Sequence, residues 1–241
     1  MPRFFVPQPL AIGQLIDLPS EVAHHIHVVR MAPGDTLTLF NGEGGEYTAV
    51  LSEVQKKRAS AEVKVFTPRE VELPYAITLA QALPEAGKMD WIVEKAVELG
   101  VAAVQPLAAR RCVVRLSSER AEKKLAHWHS VIVSACEQSG RNRLAQLAEP
   151  QEFRDWITRQ DLHKRVLLTP RATESLADWA RHQPPQALTV MVGPEGGFSD
   201  EEEAQALQHG ALALSIGPRV LRTETAALAA VAVLNAAWGG I

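Results

Sequence analysis

Two glycine-rich turns near the end of the chain constrain the fold more than any other feature of the sequence. The first covers residues 192–198 (VGPEGGF) and the second covers residues 215–226 (SIGPRVLRTETA). Each turn follows a strand-like apolar run and precedes a helix-like run. Strand-to-helix turns that open with glycine are how α/β proteins build a pocket for a nucleotide-like ligand. We therefore expect the chemistry of this chain at these two turns.

The composition is that of an ordinary soluble globular protein. The chain has 241 residues, 46% of them hydrophobic and 22% charged, which allows one large domain or two smaller ones. Cys112 and Cys136 form no disulfide framework, which suits a reducing cytosol. Residues 1–10 lack the apolar core of a signal peptide, and residues 226–238 are interrupted by Asn235 and too short to span a bilayer. We expect a cytoplasmic protein that does not bind membranes.

The charge distribution is uneven along the chain. The formal net charge of −3 argues weakly against a nucleic-acid partner, yet residues 110–143 hold eight Lys or Arg against three Asp or Glu. Residues 198–209 hold four acidic residues and no Lys or Arg. A local basic surface binds phosphates even on an acidic chain. The alternative is a set of solvated helix faces, which we favour for residues 119–124.

The first 70 residues are typical of a small β-rich domain. Residues 36–40 and 46–51 alternate on either side of a glycine-rich turn, which predicts a hairpin, and residues 61–66 alternate again. Several short strands in so few residues indicate a small barrel. A short helix is predicted over 20–31, with Ser20 as its cap. Prolines at 68 and 74 bracket a linker, so we place the domains at residues 1–72 and 73–241.

From residue 74 onward the pattern alternates between strand and helix. This alternation predicts a mostly parallel sheet with helices on both faces. A capping box over 199–202 opens an acidic helix, and Gly100 suits the end of the first helix. The predicted strands are 76–80, 101–107, 165–170, 188–192 and 212–216, and the predicted helices are 89–100, 119–137, 176–179 and 224–238.

Neither glycine turn matches a known nucleotide fingerprint. The phosphate-binding motif of nucleoside triphosphatases and the G-x-G-x-x-G motif of dinucleotide enzymes are both missing. The glycines still allow a ligand to approach the backbone closely, although a single turn of this kind would be explained by tight packing alone. Arg219 and Arg222 precede the last helix and would form an anion subsite there. The alternative for these arginines is a salt bridge with Glu195 or Glu224.

Eight segments, in order along the whole chain, resemble one known family. They are similar to the SPOUT (α/β-knot) methyltransferases, and more narrowly to the uridine-N3 methyltransferases of 16S ribosomal RNA. One departure from the sequence pattern of this family is Arg110, which stands where we expect glutamate. The segments are PRFFV (2–6), HHIHVVRMAPGD (24–35), FNGEGGEY (40–47), EKAVELGV (94–101), RRCVVR (110–115), HWHSVIVSACEQSGRNRL (127–144), VGPEGGFSDEE (192–202) and LSIGPRVLRTETAALAAVAVLN (214–235).

The resemblance implies a fold and a cofactor. It implies a small N-terminal PUA-like β-barrel that binds RNA and a C-terminal SPOUT domain with a deep trefoil knot. It also implies a homodimer that acts on 16S rRNA, in the small ribosomal subunit, with S-adenosylmethionine held by three loops. The residues it assigns to cofactor binding are Leu168, Thr169, Pro170, Val192, Gly193, Pro194, Glu195, Gly196, Gly197, Ser215, Ile216, Gly217, Arg219, Leu221, Arg222 and Thr223.

The implied reaction moves a methyl group from a sulfonium to a ring nitrogen of uridine. The protein must align the two reactants, and the weakly acidic imide must lose its proton. We assign Arg222 to stabilising charge on the uridine oxygens and Glu137 to the role of base. The residues themselves favour the alternative that Glu137 caps its helix or pairs with Arg141.

RNA contacts are predicted from arginines and a histidine in both domains. No Cys/His cluster has zinc spacing, and the histidines at 24, 25 and 27 lack a further ligand, so no metal is expected. Two rival functions stay open: a SPOUT enzyme that acts on tRNA, and a non-catalytic RNA-binding module with a relic cofactor pocket. The predicted RNA contacts are Arg3, His25, Arg30, Arg110, Arg111, Arg115 and Arg141.

Overall fold

The protein consists of two compact units in a computed structural model that describes residues 1–85, 87–114, 118–160 and 163–241. The N-terminal unit comprises Met1–Glu72 and Cys136–Leu144. The C-terminal unit comprises Leu73–Ala135 and Ala145–Ile241. The N-terminal unit thus takes in Cys136–Leu144, which the sequence-predicted division assigns to the second domain.

The N-terminal unit is built on one mixed sheet with the strand order β1-β3-β4-β5-β2. The predicted hairpin of β3 and β4 is present and antiparallel, and β1 joins β3 in parallel. Alternate residues of the long strands, such as Ala61 and Val63, are buried against Ile26 of the helix. The elements are β1 (Arg3–Phe5), β2 (Leu15–Asp17), α1 (Ser20–Val28), β3 (Thr36–Phe40), β4 (Glu46–Val54) and β5 (Ala59–Thr67).

Helix α1 differs from the predicted helix at both ends. Pro19 occupies the N-cap position and Ser20 is already helical, so the prediction that Ser20 caps the helix is wrong. The helix ends at Val28 rather than Met31 because Arg30 has a φ of 60°. A left-handed residue directly after the last turn ends an α-helix.

A network of polar side chains fixes the segment Cys136–Leu144 within the N-terminal unit. Arg3 pairs with Glu46 and donates to the Asn142 side chain at 2.6 Å. Asn142 in turn donates to the carbonyl of Arg69 at 2.6 Å, and Arg69 donates to the carbonyl of Gly140 at 2.8 Å. Charged hydrogen bonds with little access to water are stronger than exposed ones, so this network specifies where the segment lies.

The C-terminal unit contains an all-parallel sheet with the order β12-β10-β11-β6-β7-β8, and β9 also pairs with β7. The predicted parallel alternation is confirmed. The short elements β8, β9 and α4 carry too few residues for a periodic signal. The elements are β6 (Ile77–Ala82), α2 (Lys88–Glu98), β7 (Ala103–Ala108), α3 (Ser118–Ser139), β8 (Gln146–Leu147), β9 (Gln151–Glu152), α4 (Phe153–Ile157), β10 (Lys164–Leu168), α5 (Leu176–Arg181), β11 (Leu188–Val192), α6 (Asp200–Gln208), β12 (Leu212–Leu214) and α7 (Thr223–Trp238).

The core of the C-terminal unit follows from strands that are covered on both faces. All five residues of β11 are buried, as expected for a central parallel strand. Helix α7 packs Ala227, Val231 and Leu234 into this core. The predicted helix boundaries hold at two points: Gly100 follows α2 with a φ of 88°, and Ser199 opens α6 with a capping box.

The strand order decides where the functional residues lie. In a parallel sheet all carboxyl ends point to one edge, and ligands bind there. Because β10 lies between β11 and β12, the loops after these three strands are neighbours. No helix in the described part of the chain is long and apolar enough to cross a membrane. The trefoil knot implied by the resemblance stays a prediction.

Replacing Arg141 by Met should destabilise the protein by about 3 kcal/mol, because it leaves the partly buried carboxylate of Glu72 without its partner. Arg141 is 4% exposed, and its Nε and Nη2 bond both oxygens of Glu72, at 2.9 and 2.5 Å. Urea unfolding followed by circular dichroism measures this effect. Arg143→Met is the matched control: Arg143 and Glu70 are 3.5 Å apart and largely exposed, so its loss should stay under about 1 kcal/mol. Equal losses in the two variants would contradict the prediction.

Candidate active site

A cavity of about 260 Å³ lies at the carboxyl ends of β10, β11 and β12. It brings together fourteen of the sixteen residues that the resemblance assigns to cofactor binding, and adds Val220 and Ala226. Ser215 does not line it: its backbone N–H and its hydroxyl both donate to the carbonyl of Glu174. Arg222 does not line it either. The lining residues are Leu168, Thr169, Pro170, Val192, Gly193, Pro194, Glu195, Gly196, Gly197, Ile216, Gly217, Arg219, Val220, Leu221, Thr223 and Ala226.

The loop Gly193–Gly197 can take its shape only with glycine at its first position. A Cβ atom on Gly193 would lie 2.8 Å from the backbone nitrogen of Phe198 and 2.9 Å from the carbonyl carbon of Gly197. Backbone atoms cannot move aside as the end of a flexible side chain can. At the three glycines of this wall, Gly193, Gly196 and Gly197, a ligand meets main chain rather than side chains.

Two side chains from outside the loop hold it in place. Thr223, the first residue of α7, donates its hydroxyl to the Gly193 carbonyl at 2.6 Å. Arg111 donates from Nη1 to the carbonyl oxygens of Gly196 and Phe198, at 2.8 and 3.1 Å. Arg111 is a predicted RNA contact, and the structure places its guanidinium against the glycine loop.

Glu195 carries a negative charge at the rim of the cavity. It accepts hydrogen bonds from Lys88 Nζ at 2.6 Å and from the backbone nitrogen of Glu85 at 3.1 Å. Burial opposes ionisation of Glu195, but the hydrogen bond from Lys88 and its charge lower the pKa of the carboxyl overall. Among the described residues neither Arg219 nor Arg222 pairs with Glu195 or Glu224, so these salt bridges are not formed.

The two arginines before α7 are placed differently. Arg219 lines the cavity. Arg222 occupies the N-cap position of α7, where its backbone carbonyl accepts from Ala226 at 2.8 Å and its side chain is exposed. A cation at this position is available to a bound partner.

Glu137, the candidate base, lies in the N-terminal unit on the last turns of α3. Its carboxylate accepts the backbone N–H of Phe5 at 3.0 Å. Burial raises the pKa of Glu137, while the Phe5 hydrogen bond and the charges of His25 and Arg3 act in the opposite direction. The alternative partner Arg141 is bound to Glu72 instead. A carboxyl with a raised pKa is a better proton acceptor than an ordinary one.

Known families match both units of the chain. The RNA methyltransferase domain family matches residues 71–235, and the RNA methyltransferase PUA domain family matches residues 18–64. The chain is 31% identical over 246 residues to the ribosomal RNA small subunit methyltransferase E of Bacillus subtilis, covering 98% of this chain and 96% of that one. The chain belongs to the ribosomal RNA small subunit methyltransferase E family. The relative from Mycobacterium tuberculosis is 34% identical over 230 residues, with 91% of this chain and 86% of that one covered.

Solved structures of this methyltransferase family match over nearly the whole chain. The ribosomal RNA small subunit methyltransferase E of Neisseria gonorrhoeae, crystallised with S-adenosylmethionine, has a TM-score of 0.92 and 39% identity, covering 99% of this chain and 98% of that one. A putative methyltransferase from Legionella pneumophila, in complex with the same cofactor, has a TM-score of 0.93 and 39% identity, with 98% and 97% covered. The predicted family is confirmed, as is the fold class of a PUA-like domain followed by a parallel-sheet methyltransferase domain.

The predicted RNA contacts of the N-terminal unit divide into engaged and exposed groups. Arg3 and Arg141 are committed to Glu46 and Glu72, so a phosphate contact would first have to break these pairs. His25 is exposed and meets the ring of Phe4 edge-on at 5.3 Å. Arg30 is exposed beyond the end of α1.

The predicted RNA contacts of the C-terminal unit also differ in the groups that they bind. Arg110 is exposed and pairs with Glu201 at 3.0 Å, while its backbone nitrogen bonds Glu202 at 2.7 Å. Arg111 holds the glycine loop, as described above. Arg115 lies outside the described residues. Arg110 and Arg111 are thus both exposed, and each is already bound to other groups of this unit.

A larger cavity of about 800 Å³ lies beside the ends of β6 and β7, lined in part by Leu83, Ala108 and Arg110. It contains none of the glycine loops, so its size alone does not make it the active site of a methyltransferase. Among the described residues, no group of three or more His, Cys, Asp or Glu side chains is arranged to hold a metal ion.

Sequence reasoning missed three residues of the site for different reasons. Val220 and Ala226 belong to the second glycine turn, and their position in that turn could have identified them as residues that line the cavity. Lys88 reaches Glu195 from a point 107 residues earlier in the chain. No local pattern marks such a long-range ion pair.

Replacing Glu137 by Gln should make the stability of the enzyme less dependent on pH in the acid range. Because the pKa of Glu137 is raised above its ordinary 4.5, the folded chain binds this proton more tightly than the unfolded chain. That contribution is complete below the ordinary value and is lost as the pH rises through the raised value. Glutamine keeps an oxygen for the Phe5 N–H but does not titrate. Urea unfolding between about pH 4 and about pH 7 tests this, and superimposable pH profiles for the two proteins would refute it.

Proposed function

We propose that this methyltransferase transfers a methyl group from S-adenosylmethionine to N3 of a specific uridine in 16S ribosomal RNA. The observation that carries the proposal is the glycine-walled cavity at the ends of β10, β11 and β12 in a chain of this family. Two structures of 39% identity, matched over nearly their full length, hold S-adenosylmethionine.

The residues around the cavity fit this cofactor. The main chain of Gly193–Gly197 offers amides and carbonyls to the edge of a purine, and Leu168, Ile216 and Leu221 offer apolar surface to its faces. Arg219 would hold the methionine carboxylate, since a guanidinium pairs well with a carboxylate. Pockets for small ligands combine apolar walls with a few polar groups in this way.

The protein has two tasks in the reaction. The bound cofactor supplies an electrophilic methyl group on a sulfonium. The chain must hold the uridine nitrogen in line with it and must assist loss of the imide proton. Arg222, exposed at the start of α7, is the cation we assign to the uridine oxygens as charge develops on them. Glu137 is the carboxylate that we assign to accept the N3 proton.

We also propose that the enzyme acts as a homodimer in the cytoplasm. Helix α7 supports a dimer because four of its apolar residues outside the buried set, Leu228, Ala229, Ala232 and Val233, are only partly buried within this chain. A helix that is apolar on all sides is normally buried on all sides. Two buried free cysteines, Cys112 and Cys136, suit a reducing compartment.

Deleting the gene should remove 3-methyluridine from small-subunit rRNA and leave the nucleosides of tRNA unchanged. Mass spectrometry of nucleosides from both RNA pools measures this, and complementation with the intact gene is the control. Loss of a methylated nucleoside from tRNA alone would favour the tRNA alternative.

Calorimetry with the purified protein distinguishes an enzyme from a non-catalytic RNA-binding module with a relic cofactor pocket. Absence of binding at about millimolar S-adenosylmethionine would exclude the enzyme. A methylation assay that compares naked rRNA with assembled small subunits identifies the substrate form, which we expect to be the subunit.

Replacing Arg222 by Ala should lower turnover about 100-fold and leave cofactor affinity nearly unchanged, because Arg222 lies outside the cavity and is assigned to the transition state. Arg219→Ala is the matched comparison, and it should weaken cofactor affinity about tenfold because Arg219 lines the cavity. Single-turnover rates and calorimetric affinities report the two effects separately. If Arg222→Ala lowers only affinity, Arg222 binds the cofactor and its assigned role is wrong.

A further inference from the structure

Gln81 is a fully buried polar residue in the middle of the C-terminal sheet. It lies near the end of β6 and is 0% exposed. Its amide nitrogen donates to the Thr223 hydroxyl at 2.9 Å and to the carbonyl of Ala82 at 2.8 Å. Among the described residues no donor reaches its amide oxygen. A buried amide of this kind is unfavourable for stability unless its bonds offset the loss of water.

The direction of the hydrogen bonds between Gln81 and Thr223 is determined by Gly193. A threonine hydroxyl has a single proton, and Thr223 directs it to the Gly193 carbonyl at 2.6 Å. Thr223 must therefore accept from Gln81, so the amide nitrogen of Gln81 has to face it. The result is a relay in one direction, from Gln81 through Thr223 to Gly193, within the C-terminal unit.

The relay ends on the residue that sets the shape of the glycine loop. Gly193 packs against the backbone of Phe198, and the N–H of Gly197 bonds the carbonyl of Pro194 at 2.8 Å. Pro194 has a fixed φ and no N–H of its own. Once the Gly193 carbonyl is held, the orientation of the following peptide units is strongly restricted.

We propose that Gln81 is a positioning residue of the cofactor pocket, which it supports through Thr223 without lining the cavity. This inference rests on the proposed function, because it takes S-adenosylmethionine as the ligand of the loop. It explains why a buried amide with an unmatched oxygen lies between two apolar residues, Val192 and Pro106, on the neighbouring strands. An apolar residue of similar length would fill the same space and leave Thr223 and Gly193 without this support.

The first experiment replaces Gln81 by Met. Calorimetry should show a loss of S-adenosylmethionine affinity of about tenfold, whereas the unfolding midpoint of the cofactor-free protein should stay the same or rise. Tyr75→Phe is the matched control, because it removes another buried hydrogen bond of this unit, from Tyr75 to Asn235 at 3.1 Å. This control should lower the unfolding midpoint and leave the affinity unchanged.

The second experiment tests the route through Thr223. Thr223→Val should weaken binding at least as much as Gln81→Met, whereas Thr223→Ser keeps the hydroxyl and should bind like the wild type. In the Thr223→Val background, adding Gln81→Met should cause no further loss. These measurements keep the inference testable even if Gln81→Met folds poorly.

The outcomes separate the inference from the function on which it rests. If the wild-type protein does not bind S-adenosylmethionine, the proposed function fails. If the wild type binds and Gln81→Met has the same affinity, or if its loss adds fully to that of Thr223→Val, the role of Gln81 is overturned. A loss of both affinity and stability in Gln81→Met, with wild-type affinity in Thr223→Val, also overturns it.

Discussion

The contact between Gly193 and the backbone of residues 197 and 198 is the constraint on which the candidate active site depends. A side chain at 193 would lie less than 3 Å from main-chain atoms, so the loop would have to open and its cavity would lose a wall. Two side chains from outside the loop support this contact. Thr223 holds the loop from the start of α7, and Arg111 holds it from the turn after β7. The chemistry of a methyl transfer, which depends on alignment, is thus assigned to a loop that is held by several hydrogen bonds.

Several arginines of this methyltransferase stabilise its own chain. Arg3 and Arg141 are bound to carboxylates of the N-terminal unit, and Arg111 is bound to carbonyl oxygens of the glycine loop. A count of basic residues therefore overstates the positive charge that is available to an RNA. The exposed cations Arg30 and Arg222 stand apart from these networks, and they are better placed to meet phosphate or a base.

The sequence predicted the fold where its signals are periodic and local. Alternation gave the hairpin of the N-terminal unit and the parallel strands, and the motif at Ser199 gave its capping box. Strand neighbours were not predictable, because pairing of β10 with both β11 and β12 joins residues far apart in the chain. The ion pair of Lys88 with Glu195 was missed for the same reason. Glycine, by contrast, marked the cavity in advance, because the conformations and close contacts it allows are visible in the residue type itself.

The order of the strands has a consequence for how the enzyme is made. The walls of the cavity come from three separate segments, at residues 168–170, 192–197 and 216–226. Translation proceeds from the N-terminus, so Thr223 becomes available to reach Gly193 only after the strands β6 to β12 have been synthesised. The pocket is therefore completed only after the first turn of α7 has been made. A chain that has not yet reached α7 carries the sheet of a methyltransferase without a finished cofactor pocket.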